Sequence, residues 1–229
     1  MKTNKQLNPR NYRDGFHHNS KYWQDIRIAL PMLPAHLFEL AIAMTLSDAG
    51  IARTSIDAHM KFDNGYKQKD FIYALFEHFK VYCFAVSPQT YIAASGVRKG
   101  LIKSYTFKTF SHPSFSRVYE MFYVNGVKSI ASGIILNYLT GFGLAYWVMS
   151  DGSLQNDLKS MILHSQSFTW AENEILSAEL NTKFGFSSRV ISHKHIYSVI
   201  FIPAGDAVIL KGLIAPHMLP YFNYKVPVV

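Results

Sequence analysis

Two aspartates, Asp48 and Asp151, lie 103 residues apart in matching settings, LSDAG at Leu46 to Gly50 and MSDG at Met149 to Gly152. Each follows an apolar stretch that reads as a buried helix, so each carboxylate falls at a helix C-terminus. There the helix dipole repels an anion by a few tenths to about 1 kcal/mol, and something cationic should compensate. If the two helices lie parallel and side by side, both carboxylates emerge at one end, where hard oxygens can hold divalent metal ions. Asp-Gly after a helix is ordinary turn chemistry at either place alone. The repetition is what points to metal. Ala41, Ala43 and Ser47 before the first aspartate, and Ala145 and Ser150 before the second, permit close helix packing.

A lysine repeats with them. YVNGVK at Tyr123 to Lys128 resembles YFNYK at Tyr221 to Lys225, placing Lys128 80 residues after Asp48 and Lys225 74 residues after Asp151. The plain alternative is a pair of solvated lysines. Cys83 is the only cysteine, which excludes an internal disulfide and a thiolate zinc site and fits a reducing compartment. His193 and His195 share a strand face, but no third zinc ligand is near them in sequence.

The elements that must position these residues alternate along the chain. Ala35 to Ser47 predicts a helix apolar on nearly every side, with Pro34 in its first turn. TSIDAHMKFDNG then alternates at strand period, with Ser55, Asp57, His59, Lys61 and Asp63 on the polar face. A helix at Asp70 to Lys80, a strand at Arg98 to Phe110 carrying Arg98, Lys99, Lys103 and Lys108, and a helix at Ser114 to Tyr123 complete the first half. The second half repeats the order. A helix at Thr140 to Ser150 leads to a strand at Lys159 to Phe168, with Gln166 on its polar face. Thr169 and Glu172 form a capping box opening a helix through Phe184. A hairpin at Arg189 to Ile202 exposes Arg189, His193 and His195, and Asp206 to Leu213 is the last helix. The pattern is helix-strand-helix-strand-helix, twice. The boundaries are a tail or DNA-binding arm at 1–33, a first repeat at 34–132 and a second at 133–229, with only Lys128 to Tyr138 between the copies.

Apolar residues make up 49% of the 229 and aromatics 15%, enough to form a core and to exclude a disordered chain. A formal charge of +8 favours a polyanion, nucleic acid first and a membrane surface second. A spanning helix is excluded, since the closest run, Leu37 to Leu46, is short and broken by Glu39. The N-terminus lacks the apolar core of a secretory signal, so a soluble protein is expected.

The two motifs, AIAMTLSDA at Ala41 to Ala49 and LAYWVMSDG at Leu144 to Gly152, resemble those of the LAGLIDADG homing endonucleases. The second sits in NYLTGFGLAYWVMSDGSL followed by ILHSQSFT, similar to monomeric, intron-encoded members with two motifs, and the resemblance runs from Pro34 to the end. The first departs in having Ala43 and Ser47 where the family has glycines. The resemblance implies an α+β fold of two pseudo-symmetric αββαββα repeats packed through their motif helices, with antiparallel sheets forming a saddle on duplex DNA. It implies a monomer acting as a pseudo-dimer, which makes a staggered double-strand break in a long site and so promotes intron homing. Mg²⁺ would bridge Asp48, Asp151 and the scissile phosphates, with Ala49 and Gly152 as neighbouring metal contacts; Mn²⁺ would substitute and Ca²⁺ would support binding without cleavage. Lys128 and Lys225 would act beside the cut phosphates, and Gln166 and Asp63 would order water. Ser55, Asp57, His59, Lys61, Arg98, Lys103, Lys108, Arg189, His193 and His195 would contact DNA, the strands entering the major groove. The rival readings are an RNA maturase or a non-cleaving nucleic-acid-binding protein of the same fold, with host intron RNA as partner. An unrelated RNA-binding module predicts stacking aromatics in an exposed sheet motif, which the sequence lacks. Intron-encoded members point to a mitochondrion, then a plastid.

Overall fold

A computed structural model describes residues 13–53, 56–193 and 196–229. They form two compact units, one of residues 13–33 and 50–116, the other of residues 34–49 and 117–229. The units are not the sequence repeats: residues 34–49, with the first motif, and residues 117–132 fall in the same compact unit as the second motif.

In the first unit, α1 (Lys21–Ala29) is capped by the Ser20 hydroxyl on Trp23 N. Four strands follow: β1 (Gly50–Arg53), β2 (Ala58–Gly65), β3 (Gln89–Ile92) and β4 (Ile102–Lys108), in the antiparallel order β1-β2-β4-β3. Helix α3 (Lys69–Phe79) packs on the sheet through Phe71, Ile72, Leu75, Phe76 and Phe79. In β2 burial alternates strictly, with Ala58, Met60, Phe62 and Asn64 buried and Lys61, Asp63 and Gly65 exposed, as a half-solvated antiparallel strand requires. Residues 13–33 are packed in the first unit and are not a free tail. Trp23 is fully buried with its ring edge on Phe84, Arg13 N donates to Phe84 O, and Leu33 N donates to Ser114 Oγ. Residues 1–12 lie outside the described residues.

The second unit holds both motif helices, α2 (Ala35–Leu46) and α6 (Gly141–Asp151), packed on each other. Ala41, Ala43 and Ala145 are fully buried, so small side chains do line the helices. A second sheet contains β7 (Gly152–Leu154), β8 (Met161–Leu163), β9 (Arg189–His193) and β10 (Tyr197–Ile202) in the order β7-β8-β10-β9, the topology of the first sheet. Helix α7 (Trp170–Phe184) covers it, opened by the expected Thr169/Glu172 capping box and closed by Gly185 in the left-handed region at φ 74°. Helix α8 (Ala207–Ile214) packs on α6. Helix α4 (Pro113–Phe122) begins in the first unit and ends in the second. Beyond it come β5 (Tyr123–Val124), β6 (Val127–Lys128) and α5 (Ile134–Tyr138), so Lys128 to Tyr138 is structured rather than a linker.

The order from α2 to α4, and again from α6 to α8, is αββαββα. Periodicity alone missed β1, β3 and β7, which have only three or four residues. It also overextended strands, placing Ile56 and Asp57 in β2, which starts at Ala58. Residues 159–168 form a strand only at Met161–Leu163, and Arg98 and Lys99 fall in the turn before β4. No described helix is long and apolar enough to cross a membrane.

Candidate active site

The motif helices run parallel, as contacts at both ends require. At one end Glu39 of α2 reaches the first turn of α6, its Oε1 accepting from Thr140 N at 2.6 Å, Thr140 Oγ1 at 2.7 Å and Gly143 N at 2.8 Å. These include backbone donors that a helix N-terminus leaves without intrahelical partners. Gly143 is needed there because a Cβ would lie 2.6 Å from Glu39 Oε1. At the other end Ser150 Oγ lies 3.0 Å from Asp48 Oδ2 and 3.4 Å from Asp151 Oδ1. One hydroxyl therefore spans the two carboxylates that the sequence singled out.

Both repeated lysines arrive at this end. Asn125 and Gly126, with φ of 51° and 77°, make the tight turn that pairs β5 with β6 and sets Lys128 opposite Tyr123. Lys128 Nζ donates to Thr45 O at 2.7 Å and sits 4.9 Å from the centre of the Phe168 ring. Lys225 closes the 3₁₀ segment Pro220–Lys225, and its Nζ donates to Met149 O at 2.6 Å and Val148 O at 3.2 Å. Each lysine thus binds the C-terminal end of a motif helix, Lys128 at the carbonyl three residues before Asp48 and Lys225 at those two and three residues before Asp151. The cation expected to offset the helix dipole is supplied by the chain itself.

The electrostatics remain strained. Burial, then the Asp48 carboxylate, push Asp151 up to about 7, opposed by the Ser150 hydroxyl, Lys225 and Lys128. Burial draws Lys225 down to about 8 against the pull of Asp151 and Asp48, and it lowers Lys128 likewise. A half-buried carboxylate beside a second, exposed one calls for a further cation. The donor set suits a hard divalent one: two carboxylates sharing a hydroxyl, with no third His, Cys, Asp or Glu grouped with them among the described residues. Water and phosphate oxygens would complete such a shell. Ala49 and Gly152 follow the aspartates directly, where their backbone carbonyls are available by type. Gly152 admits no side chain, since a Cβ would meet Val148 O at 2.7 Å.

The remaining sequence candidates divide. His59, Lys61, Asp63 and Lys108 lie in the first sheet, with Lys61 opposite Lys108 and ion-paired to Asp63 at 3.2 Å. Lys103, exposed near the start of β4, has the parity of Tyr105, whose ring edge meets Tyr73 of α3, and so points away from the face that carries Lys108. Asp57 lies before β2, not in the strand, and accepts from Ser116 Oγ of α4 at 2.9 Å. Arg98 lies in a turn, its guanidinium 3.5 Å from the Tyr66 ring centre and bonded to Ile102 O. Gln166 is in a turn after β8, not on a strand, and its amide nitrogen lies 3.2 Å from His164 Nδ1. Arg189 and His193 share a face of β9, with Arg189 over Phe201 at 4.7 Å. Ser55 and His195 lie outside the described residues.

Sequence reasoning missed Glu39, noticed only as a break in an apolar run, and the link from Ser150 to both aspartates. It also missed Ser153 and His164, bonded to each other at 2.9 Å beside Asp151, whose carbonyl accepts from His164 N at 2.9 Å. A buried acid nine residues before Asp48 was the available signal for the first.

The profile of the LAGLIDADG DNA endonuclease family matches residues 38–207. The chain belongs to that family. The LAGLIDADG chain is 51% identical over 132 residues to "Probable intron-encoded DNA endonuclease 3" of Mycosarcoma maydis, covering 56% of this chain and 96% of that one. It is 29% identical over 212 residues to "Probable intron-encoded endonuclease 1" of Wickerhamomyces canadensis, covering 90% of each. Among solved structures, the homing endonuclease I-WcaI bound to its DNA recognition sequence superposes with a TM-score of 0.85 at 28% identity, covering 94% of this chain and 96% of that one. The αββαββα repeats are therefore those of a homing endonuclease. Asp48 lies two residues beyond α2, and Asp151 is the last residue of α6.

Proposed function

We propose that this LAGLIDADG endonuclease cuts both strands of a long duplex site at one centre built from Asp48, Asp151, Lys128 and Lys225. The observation that carries this reading is the single Ser150 hydroxyl touching the carboxylates at the ends of both motif helices. Hydrolysis adds water across a P–O bond, so that water oxygen joins phosphorus while a sugar oxygen leaves and takes a proton. Asp48 and Asp151, with the carbonyls of Ala49 and Gly152, would hold divalent metal, Mg²⁺ first. When bound, it lowers the pKa of the attacking water and neutralises charge on phosphorus and the leaving oxygen. The lysines, fixed by helix-end carbonyls, keep positive charge beside the carboxylates without long side-chain excursions, a pre-organised field for an anionic transition state. Ser153, His164 and Gln166 form a bonded string next to Asp151, placed to orient water or the nearest nucleotide. His59, Lys61 and Lys108 in one sheet and Arg189 and His193 in the other supply groove contacts. The proposed setting is an intron of a mitochondrial gene, the chain working as a monomer with two repeats.

The test is selection from a randomised duplex library with Mg²⁺, followed by sequencing of the cut ends. A single long consensus with staggered ends is expected. Failure to cut any duplex, combined with preferential binding of single-stranded RNA, would overturn the reading in favour of RNA binding.

A further inference from the structure

The two motifs carry serine at the same place, directly before the aspartate, and the two serines do different things. Ser47 Oγ turns back into its own helix, 3.2 Å from Ala43 O and 3.3 Å from Met44 O. This is the common local bond of a helical serine. Ser150 Oγ turns outward, 3.0 Å from Asp48 Oδ2 and 3.4 Å from Asp151 Oδ1. A hydroxyl has one proton to donate and two lone pairs. It can donate to one carboxylate at a time, and the shorter distance favours Asp48.

Asp48 is exposed while Ser150 and Asp151 are half-buried. An exposed carboxylate at a helix end has several rotamers, and only some leave its oxygens toward the other acid. A donor fixed on the neighbouring helix selects among them. We propose that Ser150 is a positioning residue: its hydroxyl ties the Asp48 side chain to α6 and holds the two carboxylates close enough to share a cation, whereas Ser47 has no part in the centre. This rests on the reading of Asp48 and Asp151 as the cation-holding pair. It also makes the two motifs inequivalent, because only the second supplies the bridge.

Removing the bridge lets Asp48 rotate away from Asp151, so cation binding loses pre-organisation. The loss should be modest, because both carboxylates remain. It should also appear with the metal alone, before any DNA is cut. A serine-to-alanine change at a half-buried helix end removes one oxygen and leaves the fold intact.

The experiment titrates Mn²⁺ into the full chain without DNA, followed by electron paramagnetic resonance, for Ser150→Ala, Ser150→Thr, Ser47→Ala and Asp48→Asn. Single-turnover cleavage of the selected site is measured alongside. Ser150→Ala should weaken Mn²⁺ binding about three- to tenfold and slow cleavage by a similar factor, on the scale of one ordinary hydrogen bond lost at a partly exposed site. Ser150→Thr should restore both, and Ser47→Ala should stay within about twofold of the parent. Unchanged or tighter Mn²⁺ binding in Ser150→Ala, or equal weakening in Ser47→Ala, overturns the bridging role. If Asp48→Asn also leaves Mn²⁺ binding intact, the carboxylate pair itself is not the cation site. If Asp48→Asn abolishes binding while Ser150→Ala does not weaken it, only the inference about Ser150 falls.

Discussion

The two halves of the centre reach the same contact by different routes. Lys128 comes off a two-residue strand after an Asn-Gly turn, whereas Lys225 ends a 3₁₀ segment, yet each donates to a carbonyl near the end of a motif helix. The supports around them differ. Lys225 is 7% exposed and binds two carbonyls, while Lys128 is half-buried and binds one. Asp151 is half-buried, while Asp48 is exposed. The N-terminus of α6 is capped by Thr140 and by Glu39 from α2, whereas α2 starts after Pro34 with no side-chain cap. The duplicated parts are those the chemistry needs, two acids and two cations at one pair of helix ends. What is not duplicated is the local support of these groups, which each half solves with its own residues within the same repeated fold.

Beyond the aspartates themselves, the largest effects should come from the lysines. Lys128→Met and Lys225→Met should each slow single-turnover cleavage about 100-fold while leaving DNA affinity nearly unchanged, as expected for a group that acts on transition-state charge. Lys225→Met should also change thermal stability more than Lys128→Met, because it vacates two buried carbonyls. Equal stability effects would erase the asymmetry described above.

Next in size is the bond between the motif helices. Glu39→Leu strands the donors of Thr140 and Gly143 and should cost about 2 kcal/mol in denaturant unfolding, the range for a hydrogen bond to a charged group. Glu39→Gln, which keeps a carbonyl oxygen, should cost less. Gly143→Ala should resemble Glu39→Leu, since its Cβ would press on the same carboxylate. Indifference of stability to all three would remove Glu39 from the account.

A separate effect lies in the pH dependence of stability without metal. Asp151 is raised from 3.8 to about 7 on folding, so the folded state binds more protons between those values and stability falls as pH rises across them. Lys225 is lowered from 10.5 to about 8, so there the unfolded state binds more protons and stability rises with pH between about 8 and 10.5. Thermal melts of the metal-free protein should show both slopes. Asp151→Asn should abolish the first and Lys225→Met the second, each slope corresponding to at most about one proton. An unchanged acid-side slope in Asp151→Asn would place the titration elsewhere.

Much of this was legible in sequence because it is local. The motif helices, the Thr169/Glu172 capping box, the hairpin of β9 and β10, and the repeated aspartates and lysines all follow from short spacings. The less legible features depend on partners far along the chain. Glu39 acts on residues 101 and 104 positions away, and Ser150 on one 102 positions away, separations at which periodicity carries no information. The strands β1 and β7 are too short to show a period and exist because β2 and β8 pair with them. Trp23 read as part of a polar arm, because nothing in its neighbours reveals the ring of Phe84 that buries it.

The central claim, that both motifs feed one centre, is tested most directly by strand-resolved single-turnover cleavage of the selected duplex with Mg²⁺. The parent is compared with Asp48→Asn, Asp151→Asn and the double variant. A shared centre predicts that each single variant loses cutting of both strands by about 100-fold or more, that binding without metal survives, and that the double variant is little worse than either. Two independent centres would give single variants that each nick one strand at the parental rate, and that result would contradict the account.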